Sequence, residues 1–484
     1  MGRLPEVFTV IAAPLAAEAE PVGEAVARAA REPVSNENWE QERETSASPR
    51  ARLTYPRGSA DPGGLANAVS TPGAPATDAA PSGKPPTERV RWGRVVLVAL
   101  SGVVSHVFGR ATVGVLVPAM ADDLELSDTL IGALGSANMG AYFAGVIIVT
   151  FTAGRIEPFI LLRAGIVTST VGLAVIGTAS SAAAVVIGTA LAGLGGGGIW
   201  LTAPVIASEG VPASRRGAAL GTLTATMGAA LIGVPLATTA LRSLAADDAL
   251  WRPIWLIQAV LSVVLLAALS VFVRARRTER VAAVGGFGAL FRIHGWKRAV
   301  AAYVGFAYMA SSFANFLGRA LEGDHDFSRT AATLVFSWMG AGSIVGALAF
   351  GRLSDRIGRP ATMATVMALI AGAAAVLATR APGALIIVAV VVFGAASFSF
   401  PSLTATFVSD HVSDRTFAAV LGSMTMFYGP ASVIGPATSG WLADRTGSFS
   451  ATYWAIAAIA ATSCICVSTM RRRNAVAPQA APLG

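Results

Sequence analysis

The sequence has 484 residues, of which 54% are hydrophobic and only 13% are charged, and its mean hydropathy is +0.62. Soluble domains carry about 25% charged residues, so this balance excludes an ordinary soluble protein and indicates that much of the apolar surface faces lipid. The net charge of +8 does not indicate nucleic-acid binding, because the basic residues lie in short gaps between apolar runs and do not cluster with aromatic residues.

The first 89 residues are predicted to be a disordered extension. Stretches such as STPGAPATDAAPSGKPPTE are rich in Ala, Pro, Ser and Gly and hold too little apolar material to bury a core. The stretch VFTVIAAPLAAEA imitates a signal peptide, but Pro14 interrupts it and only Arg3 supplies a basic flank. We therefore expect residues 1–89 to be retained as a cytoplasmic extension.

From residue 94 onwards the sequence contains twelve apolar segments of about 20 residues, the length needed to cross a bilayer. They lack the polar/apolar alternation of a β-barrel, so they are predicted to be helices, which satisfy their own backbone hydrogen bonds. The sequence thus predicts an all-α integral membrane fold with twelve transmembrane helices. The predicted cores are 94–118, 130–152, 160–180, 182–207, 217–240, 253–273, 299–321, 329–350, 361–379, 384–407, 416–440 and 449–470.

The distribution of Arg and Lys predicts how these spans are oriented. Basic residues precede the first span, fill the second, fourth, sixth and eighth gaps, and follow the last span. The gaps between these, such as ADDLELSD and EGDHDF, are mostly acidic or neutral. By the positive-inside rule, both termini are cytoplasmic, residues 274–298 form a cytoplasmic linker and residues 474–484 a cytoplasmic tail.

The two halves of the membrane region resemble each other. The pattern Gly-x6-Gly-x6-Pro, which begins at Gly221 in the fifth span, recurs from Gly422 in the eleventh span. This duplication predicts two pseudo-symmetric six-helix bundles, residues 90–273 and 299–473, with a solute site between them near mid-bilayer.

The segment GRLSDRIGRP, which starts at Gly351 between the eighth and ninth spans, resembles the G-x-L-a-D-r-x-G-r-r loop motif of the major facilitator superfamily. In that family the motif follows span 2 and again span 8. Here the first copy, AGRIEPFIL, lacks the Asp and the second Gly. The opening FGRATVGVLVPAMADDLELSDTLIGALGSANMGAYFAG also looks like the YbfB/YjiJ-type branch. The resemblance covers about residues 90–473 and implies alternating-access transport of a small solute, often coupled to protons.

The charges of this motif predict a two-state latch. Asp355 lies among arginines, and such a cluster can dock on neighbouring helix ends through charge-assisted hydrogen bonds that break and re-form. We expect Asp355 to pair in one conformation with an arginine at the start of the fifth span. The alternative is a turn whose arginines only anchor the orientation. The predicted gating residues are Gly351, Asp355, Arg356, Gly358, Arg359, Arg215 and Arg216.

Arg110 lies inside the first apolar span, where an unpaired charge is costly. Pro118 is predicted to end that span, which places Arg110 about 12 Å below the outer surface. His106 precedes Arg110 by four residues and shares its helix face. Two further pairs with this spacing are expected at a similar depth: Asn138 with Tyr142, and Asn315 with Arg319.

These pairs predict a shared aqueous cavity that is electropositive and favours a carboxylate. His106 is the candidate proton carrier. Each residue also has a structural alternative: a hydrogen bond between helices, plain packing, snorkelling, or for Arg319 an ion pair with Glu322. Trp200 and Tyr428 are candidate walls that packing would also explain. The predicted substrate-binding residues are Arg110, His106, Asn138, Tyr142, Asn315, Arg319 and Trp338.

The sequence therefore predicts a monomeric secondary transporter of the cell membrane for a small anionic or carboxylate-bearing solute, with protons as the candidate coupling ion. Efflux of amphipathic compounds or drugs is the nearest rival, followed by a non-transporting receptor and a polytopic enzyme. The four histidines are scattered and form no catalytic spacing. We expect no cofactor, metal or nucleic-acid partner. The GLGGGG of residues 193–198 contains GxGxxG but lies in no βαβ unit, so it favours close helix packing rather than a dinucleotide site.

Overall fold

The computed structural model describes residues 90–470 except 153–154, 210, 248 and 274–285. The predicted extension 1–89 and tail 474–484 lie outside the described residues. The described part contains thirteen helices and no strand. The helices are α1 Trp92–Leu124, α2 Asp128–Thr152, α3 Pro158–Gly177, α4 Ala182–Ser208, α5 Ala213–Ala245, α6 Arg252–Phe272, α7 Gly286–Arg292, α8 Trp296–Gly323, α9 Arg329–Ile357, α10 Arg359–Leu377, α11 Gly383–Ser409, α12 Asp414–Thr446 and α13 Ser450–Ser468.

Twelve of these helices are long, and they fall on the twelve predicted cores. Eleven of them are long and apolar enough to cross a membrane. The remaining long helix, α12, has 33 residues, but Gly, Pro, Ser and Thr dilute its apolar residues. The short helix α7 lies within the predicted linker 274–298, which is therefore not wholly a loop.

The end of the first span differs from the prediction. Helix α1 continues through Pro118 to Leu124. Pro118 has no N–H to donate to the carbonyl of Gly114, and α8 packs on this carbonyl so closely that a Cβ at Gly318 would lie 2.6 Å from its oxygen. Arg110 therefore lies fourteen residues from the end of α1, about 21 Å along the helix rather than about 12 Å.

The helices form two bundles, α1–α6 and α8–α13. Within the first bundle α4 packs on α2 and α3, and within the second α11 packs on α9 and α10. The bundles meet mainly where α2 contacts α12 and where α5 contacts α9. These two contacts are equivalent under the sequence repeat, because they join the second span to the eleventh and the fifth to the eighth.

Glycines in α4 allow the close packing inside the first bundle. A Cβ at Gly193 would overlap the carbonyl oxygen of Asn138, and a Cβ at Gly197 would overlap that of Tyr142. At Gly195 the overlapping atom would be the carbonyl oxygen of residue 165 on α3. The backbones of three helices thus touch along the GLGGGG segment, and the predicted role in close packing is confirmed.

We predict that Gly197→Ala lowers the midpoint of thermal unfolding of the purified protein by several degrees. The added methyl group meets backbone, which cannot move aside, and overpacking of this kind costs about 1–3 kcal/mol. The matched control is Gly233→Ala on α5, where a Cβ meets nothing within 4 Å. This control should leave the midpoint unchanged or raise it slightly. Equal midpoints for the two variants would contradict the packing role.

Candidate functional site

Helix α1 is wound as a π-helix over Val103–Ala111, the stretch that carries His106 and Arg110. π-Helical segments are rare and often occur at functional sites. Helix α6 supports the end of this segment, because Gln258 Nε2 donates to Thr112 Oγ1 at 3.0 Å. The same threonine hydroxyl donates back to a carbonyl oxygen of the π segment at 2.9 Å.

Asn138 of α2 fixes the same segment from another side. Its Nδ2 donates to the carbonyl oxygen of Gly109 in the π segment at 2.9 Å and to that of Thr189 in α4 at 2.8 Å. The side chain is buried, and both amide protons are used. Asn138 thus forms hydrogen bonds between helices, the alternative to substrate binding that the sequence left open. Its contribution to the site is to position α1.

His106 is oriented by its neighbour Ser105. The hydroxyl of Ser105 donates its single proton to the carbonyl oxygen of Gly196 at 3.0 Å, while His106 Nδ1 lies 3.0 Å from the same hydroxyl oxygen. Nδ1 must therefore donate, which leaves the lone pair of a neutral ring on Nε2. The ring packs 4.4 Å from that of Trp200 and edge-on to that of Tyr142 at 6.0 Å.

Arg110 has no ion-pair or hydrogen-bond partner among the described residues. Its side chain is partly exposed although it lies in the middle of α1. The guanidinium is close enough to His106 and Tyr142 for its charge to act on both. A charge at this depth needs water or an anion as its counterpart, so this position is suited to bind a negatively charged group.

Aromatic rings of the second bundle lie near Tyr142. Tyr142 lies within electrostatic reach of Tyr303 on α8 and Tyr428 on α12. The rings of Tyr303 and Tyr428 are 5.1 Å apart, and Phe306 lies 6.4 Å from Tyr428. The residues that both bundles contribute here are called the Arg110 pocket: His106, Arg110, Tyr142, Trp200, Tyr303, Phe306 and Tyr428.

Sequence reasoning missed Tyr303 and Phe306. Both lie in the apolar run of the seventh span, and nothing local distinguishes them from packing residues. Only the pairing of α8 with α12, on which Tyr428 lies, brings them to the pocket.

Three residues predicted to bind substrate lie elsewhere. Trp338 on α9 is exposed and makes no ring contact with the described aromatic residues. Asn315 donates to the carbonyl oxygen of Ile131, in the first turn of α2, at 3.4 Å. Arg319 lies a further turn along α8, only four residues before the helix ends. The expected common depth therefore does not hold for the Asn315–Arg319 pair, which lies near the end of the bundles.

Charges join the two bundles where α1 passes into α2, here called the α1–α2 end. Arg319 Nε of α8 lies 3.3 Å from Asp128 Oδ1 of α2. The carboxylate of Asp444 on α12 accepts hydrogen bonds from the backbone N–H groups of Asp128 at 3.0 Å and Thr129 at 2.8 Å. Asp444 thus caps the N-terminus of α2, a favourable place for a negative charge.

A second arginine adds to this contact. Arg329 of α9 binds the carboxylates of Asp122 on α1 and Glu322 on α8. Asp122 also lies 3.7 Å from Arg319. Glu322, the partner considered for Arg319 in the sequence, is thus bound by Arg329. These ion pairs and hydrogen bonds close the α1–α2 end.

At the opposite end, here called the linker end, ion pairs between described residues stay within one bundle. Arg94 pairs with Glu209 at 2.6 Å in the first bundle. In the second, Arg359 binds Asp355 at 2.7 Å and Asp410 at 3.3 Å. None of these three ion pairs joins the two bundles.

Helices α5 and α9 separate towards the linker end. They are in contact at Gly228, where a Cβ would lie 2.9 Å from Ile344. Closer to the linker end, a Cβ at Gly221 or Gly351 would meet nothing within 4 Å, and Leu348 is 60% exposed. The structure is thus closed at the α1–α2 end and open between α5 and α9 at the linker end.

The predicted gating motif forms the turn between α9 and α10. Gly358 has φ +87°, a backbone conformation that favours glycine, and α10 begins at the next residue. Asp355 and Arg359 bind each other across this turn, and Arg356 is exposed. Gly351 lies one helical turn before Asp355 and lines a cleft of about 210 Å³ with it.

The predicted partners of Asp355 lie at the start of α5. Arg215 is exposed, and the side chain of Arg216 lies outside those that the structure describes. In this conformation Asp355 is bound by Arg359.

The protein-family model described as "MFS_4: Uncharacterised MFS-type transporter YbfB" matches residues 103–469. The chain belongs to the major facilitator superfamily. The resemblance predicted from GRLSDRIGRP and from the opening of the membrane region is confirmed. The chain is thus a multi-pass membrane protein of a family of secondary transporters. A comparison with curated proteins found no match.

Solved structures show the same fold in three other transporters. The nucleoside transporter NupG is 15% identical, with a TM-score of 0.65 over 78% of this chain and 100% of its own. A bacterial homolog of the human lysosomal transporter Spinster, described as inward-facing and unoccupied, is 15% identical, with a TM-score of 0.61 over 80% and 96%. A POT family transporter in complex with a thioalcohol-conjugated peptide is 11% identical, with a TM-score of 0.65 over 78% and 95%.

We predict that Arg319→Gln opens the α1–α2 end more often. The reporter is Ser136→Cys with both native cysteines replaced by serine, because Ser136 contacts the carbonyl oxygen of Val433 across the bundle interface at 2.7 Å. Loss of a partly exposed ion pair is worth up to about 1 kcal/mol, so maleimide labelling of the purified transporter should accelerate up to about fivefold.

The control for this measurement is Arg445→Gln, at the same end of α12. The guanidinium of Arg445 lies over the ring of Trp441, 5.2 Å from its centroid. Its removal should leave the labelling rate unchanged. Acceleration by both variants alike, or by neither, would contradict the gating role of Arg319.

Proposed function

We propose that this transporter moves a small carboxylate-bearing anion across the cytoplasmic membrane by alternating access, with the carboxylate bound at Arg110. The observation that carries the proposal is the guanidinium in mid-helix without a partner among the described residues, in reach of His106 and Tyr142 of the first bundle. Tyr142 in turn lies within reach of Tyr428 of the second bundle. A planar guanidinium with several N–H donors matches the geometry of a carboxylate.

The positive-inside pattern supports a cytoplasmic linker end, with both termini in the cytoplasm. The conformation described above is then inward-facing: the α1–α2 end is sealed towards the outside, and the Arg110 pocket is reached from the cytoplasm. Transport requires the opposite state, in which the ion pairs of Arg319 and Arg329 separate and the linker end closes.

Proton coupling is the finer part of the proposal, with His106 as the proton carrier. Ser105 holds Nδ1, so Nε2 is the nitrogen that takes up the proton. A carboxylate bound at Arg110 offsets the positive charge that otherwise opposes a second charge on the neighbouring ring. Anion and proton would therefore bind together, as symport in either direction requires.

The latch belongs to the outward-facing state. From the contact between Gly228 and Ile344, Arg215 lies thirteen residues along α5 and Asp355 eleven along α9, or about 20 Å and about 16 Å. The two charges therefore lie at a similar level on helices that separate. Closure of the linker end would bring Asp355 towards Arg215 and Arg216.

We predict that Arg110→Gln lowers carboxylate flux into proteoliposomes by about 10- to 100-fold. Loss of a charge-assisted hydrogen bond at a desolvated site costs about 1.5–3 kcal/mol. The solute is chosen by a thermal-shift screen of carboxylates on the purified transporter. Arg110→Lys keeps the charge but loses the planar guanidinium, so its flux should lie between that of the unaltered transporter and that of Arg110→Gln. Arg445→Gln is the control that keeps normal flux.

Two results would contradict this assignment. Normal carboxylate flux in Arg110→Gln would remove the role of Arg110. Equal binding of neutral amphipathic compounds and carboxylates would favour the rival function, efflux of amphipathic compounds. In the same vesicles a pH gradient should drive accumulation, and His106→Gln should permit flux down the solute gradient without accumulation.

We predict that Asp355→Asn changes the transport rate several-fold while membrane insertion stays normal, because it removes the charge that alternates between Arg359 and the arginines of α5. The measurement is flux normalised to the amount of folded transporter. In the double variant Asp355→Arg with Arg215→Asp, exchange of the charges should restore part of the rate, which a double-mutant cycle quantifies.

Asp410→Asn is the matched control for the latch. Asp410, the residue directly after α11, also binds Arg359, and this ion pair lies within the second bundle. Its removal should affect the rate less than removal of Asp355. An unchanged rate in Asp355→Asn, or no recovery in the charge exchange, would favour the alternative in which the arginines only anchor the orientation.

A further inference from the structure

The Arg110 pocket contains a single charge and many rings. Of its seven side chains, Arg110 is the only cation that is permanently charged, and the other six are aromatic or imidazole rings. No carboxylate lies within ion-pair distance of Arg110 among the described residues. This composition suits a ligand that combines one negative charge with a compact apolar body.

The rings come from both bundles. On the first bundle, His106 packs on Trp200 with centroids 4.4 Å apart, and Trp200 remains 38% exposed. On the second bundle, Tyr303 packs on Tyr428 with centroids 5.1 Å apart. Phe306 continues this wall to Phe400 on α11, at 4.9 Å. The two walls are close because α2 packs on α12 beside Tyr142 and Tyr428, where a Cβ at Gly429 would lie 2.6 Å from the ring of Phe143.

We propose that the solute is an aromatic monocarboxylate whose carboxylate binds Arg110 and whose ring packs against Trp200 and Tyr428. This inference rests on the proposed function and narrows its substrate class. Ring pairs in offset or edge-on geometry gain more than their buried area alone provides, so aromatic walls prefer an aromatic ligand to a saturated one of equal size. Dianions such as phosphate esters fit less well, because the pocket offers one guanidinium and no second permanent cation among the described residues.

A ligand of this kind would also couple binding to transport. Its charged end is held by α1 of the first bundle, and its ring contacts Tyr428 on α12 of the second. An aromatic acid therefore spans the interface between the bundles, whereas a short aliphatic acid would reach only Arg110. Occupancy by the longer ligand then favours conformations in which both walls contact the ring.

The experiment compares three matched ligands by isothermal titration calorimetry on the full-length purified transporter. Phenylacetate has both a ring and a charge, cyclohexylacetate has a saturated ring with the same charge, and 2-phenylethanol has the ring without the charge. Phenylacetate should bind roughly three- to tenfold more tightly than cyclohexylacetate. The alcohol should bind more weakly than either acid.

Variants of Tyr428 then assign the preference to this wall. Tyr428→Leu should remove most of the preference for phenylacetate, whereas Tyr428→Phe keeps the ring and should retain it. Trp454→Leu, which removes an exposed ring of α13, should change nothing. The comparison of ligands on the unaltered transporter needs no variant, so the inference can be tested even if Tyr428→Leu does not fold.

The outcomes separate the inference from the function on which it rests. Equal affinities for the two acids, both lost in Arg110→Gln, would overturn the aromatic preference while carboxylate transport stands. Binding of 2-phenylethanol as tightly as phenylacetate, or binding of both acids that survives Arg110→Gln, would overturn the carboxylate site itself. A preference for phenylacetate that persists in Tyr428→Leu but disappears in Trp454→Leu would overturn the assignment to this wall.

Discussion

A guanidinium halfway along the first candidate membrane-spanning helix is the constraint on which the candidate site depends. Arg110 is held there by a segment of α1 that other helices fix from several sides: Asn138 binds the carbonyl of Gly109, Ser105 binds α4, and Gln258 of α6 binds the threonine that ends the π segment. These bonds use buried polar groups that would otherwise be unsatisfied. These buried hydrogen bonds of the first bundle therefore orient α1. The guanidinium of Arg110 itself has no partner among the described residues, and a charge inside a membrane span needs one.

Charge asymmetry between the two ends has two consequences. The gap ADDLELSD lacks basic residues and is therefore predicted to lie outside. The same gap supplies carboxylates that seal this end, since Asp122 and Asp128 bind arginines of the second bundle. At the linker end two described arginines, Arg94 and Arg359, pair with carboxylates of their own bundle. Under the proposed latch, a conformational change exchanges charged contacts at one end for charged contacts at the other, which would lower the difference in free energy between the two states.

Hydrophobic spacing made the helices predictable, the repeated spacing of Gly and Pro indicated the duplication, and an isolated charge in an apolar run singled out Arg110 as a candidate site residue. Three features depended on tertiary contacts that no local pattern encodes. Pro118 does not end α1, because the carbonyl that it leaves free is covered by α8 at Gly318. Tyr303 resembles any core aromatic until α8 pairs with α12. Arg319 shares the spacing of a site residue, but the direction of α8 carries it to the α1–α2 end.

The sequence repeat marks the surfaces along which the bundles meet. Gly228 of α5 approaches Ile344 of α9, and a Cβ at its repeat partner Gly429 of α12 would lie 2.6 Å from the ring of Phe143 on α2. Helices that pack this closely cannot deform gradually, because their atoms leave no free space between them. In the proposed alternating-access cycle, these two equivalent contacts are the candidate pivots for rocking of the bundles. The Arg110 pocket lies near these contacts, because Tyr142 and Tyr428 are the neighbours of Phe143 and Gly429 in the sequence. A proposed ligand that touches both walls would therefore bind close to the pivots, where a small movement corresponds to a large movement of the helix ends.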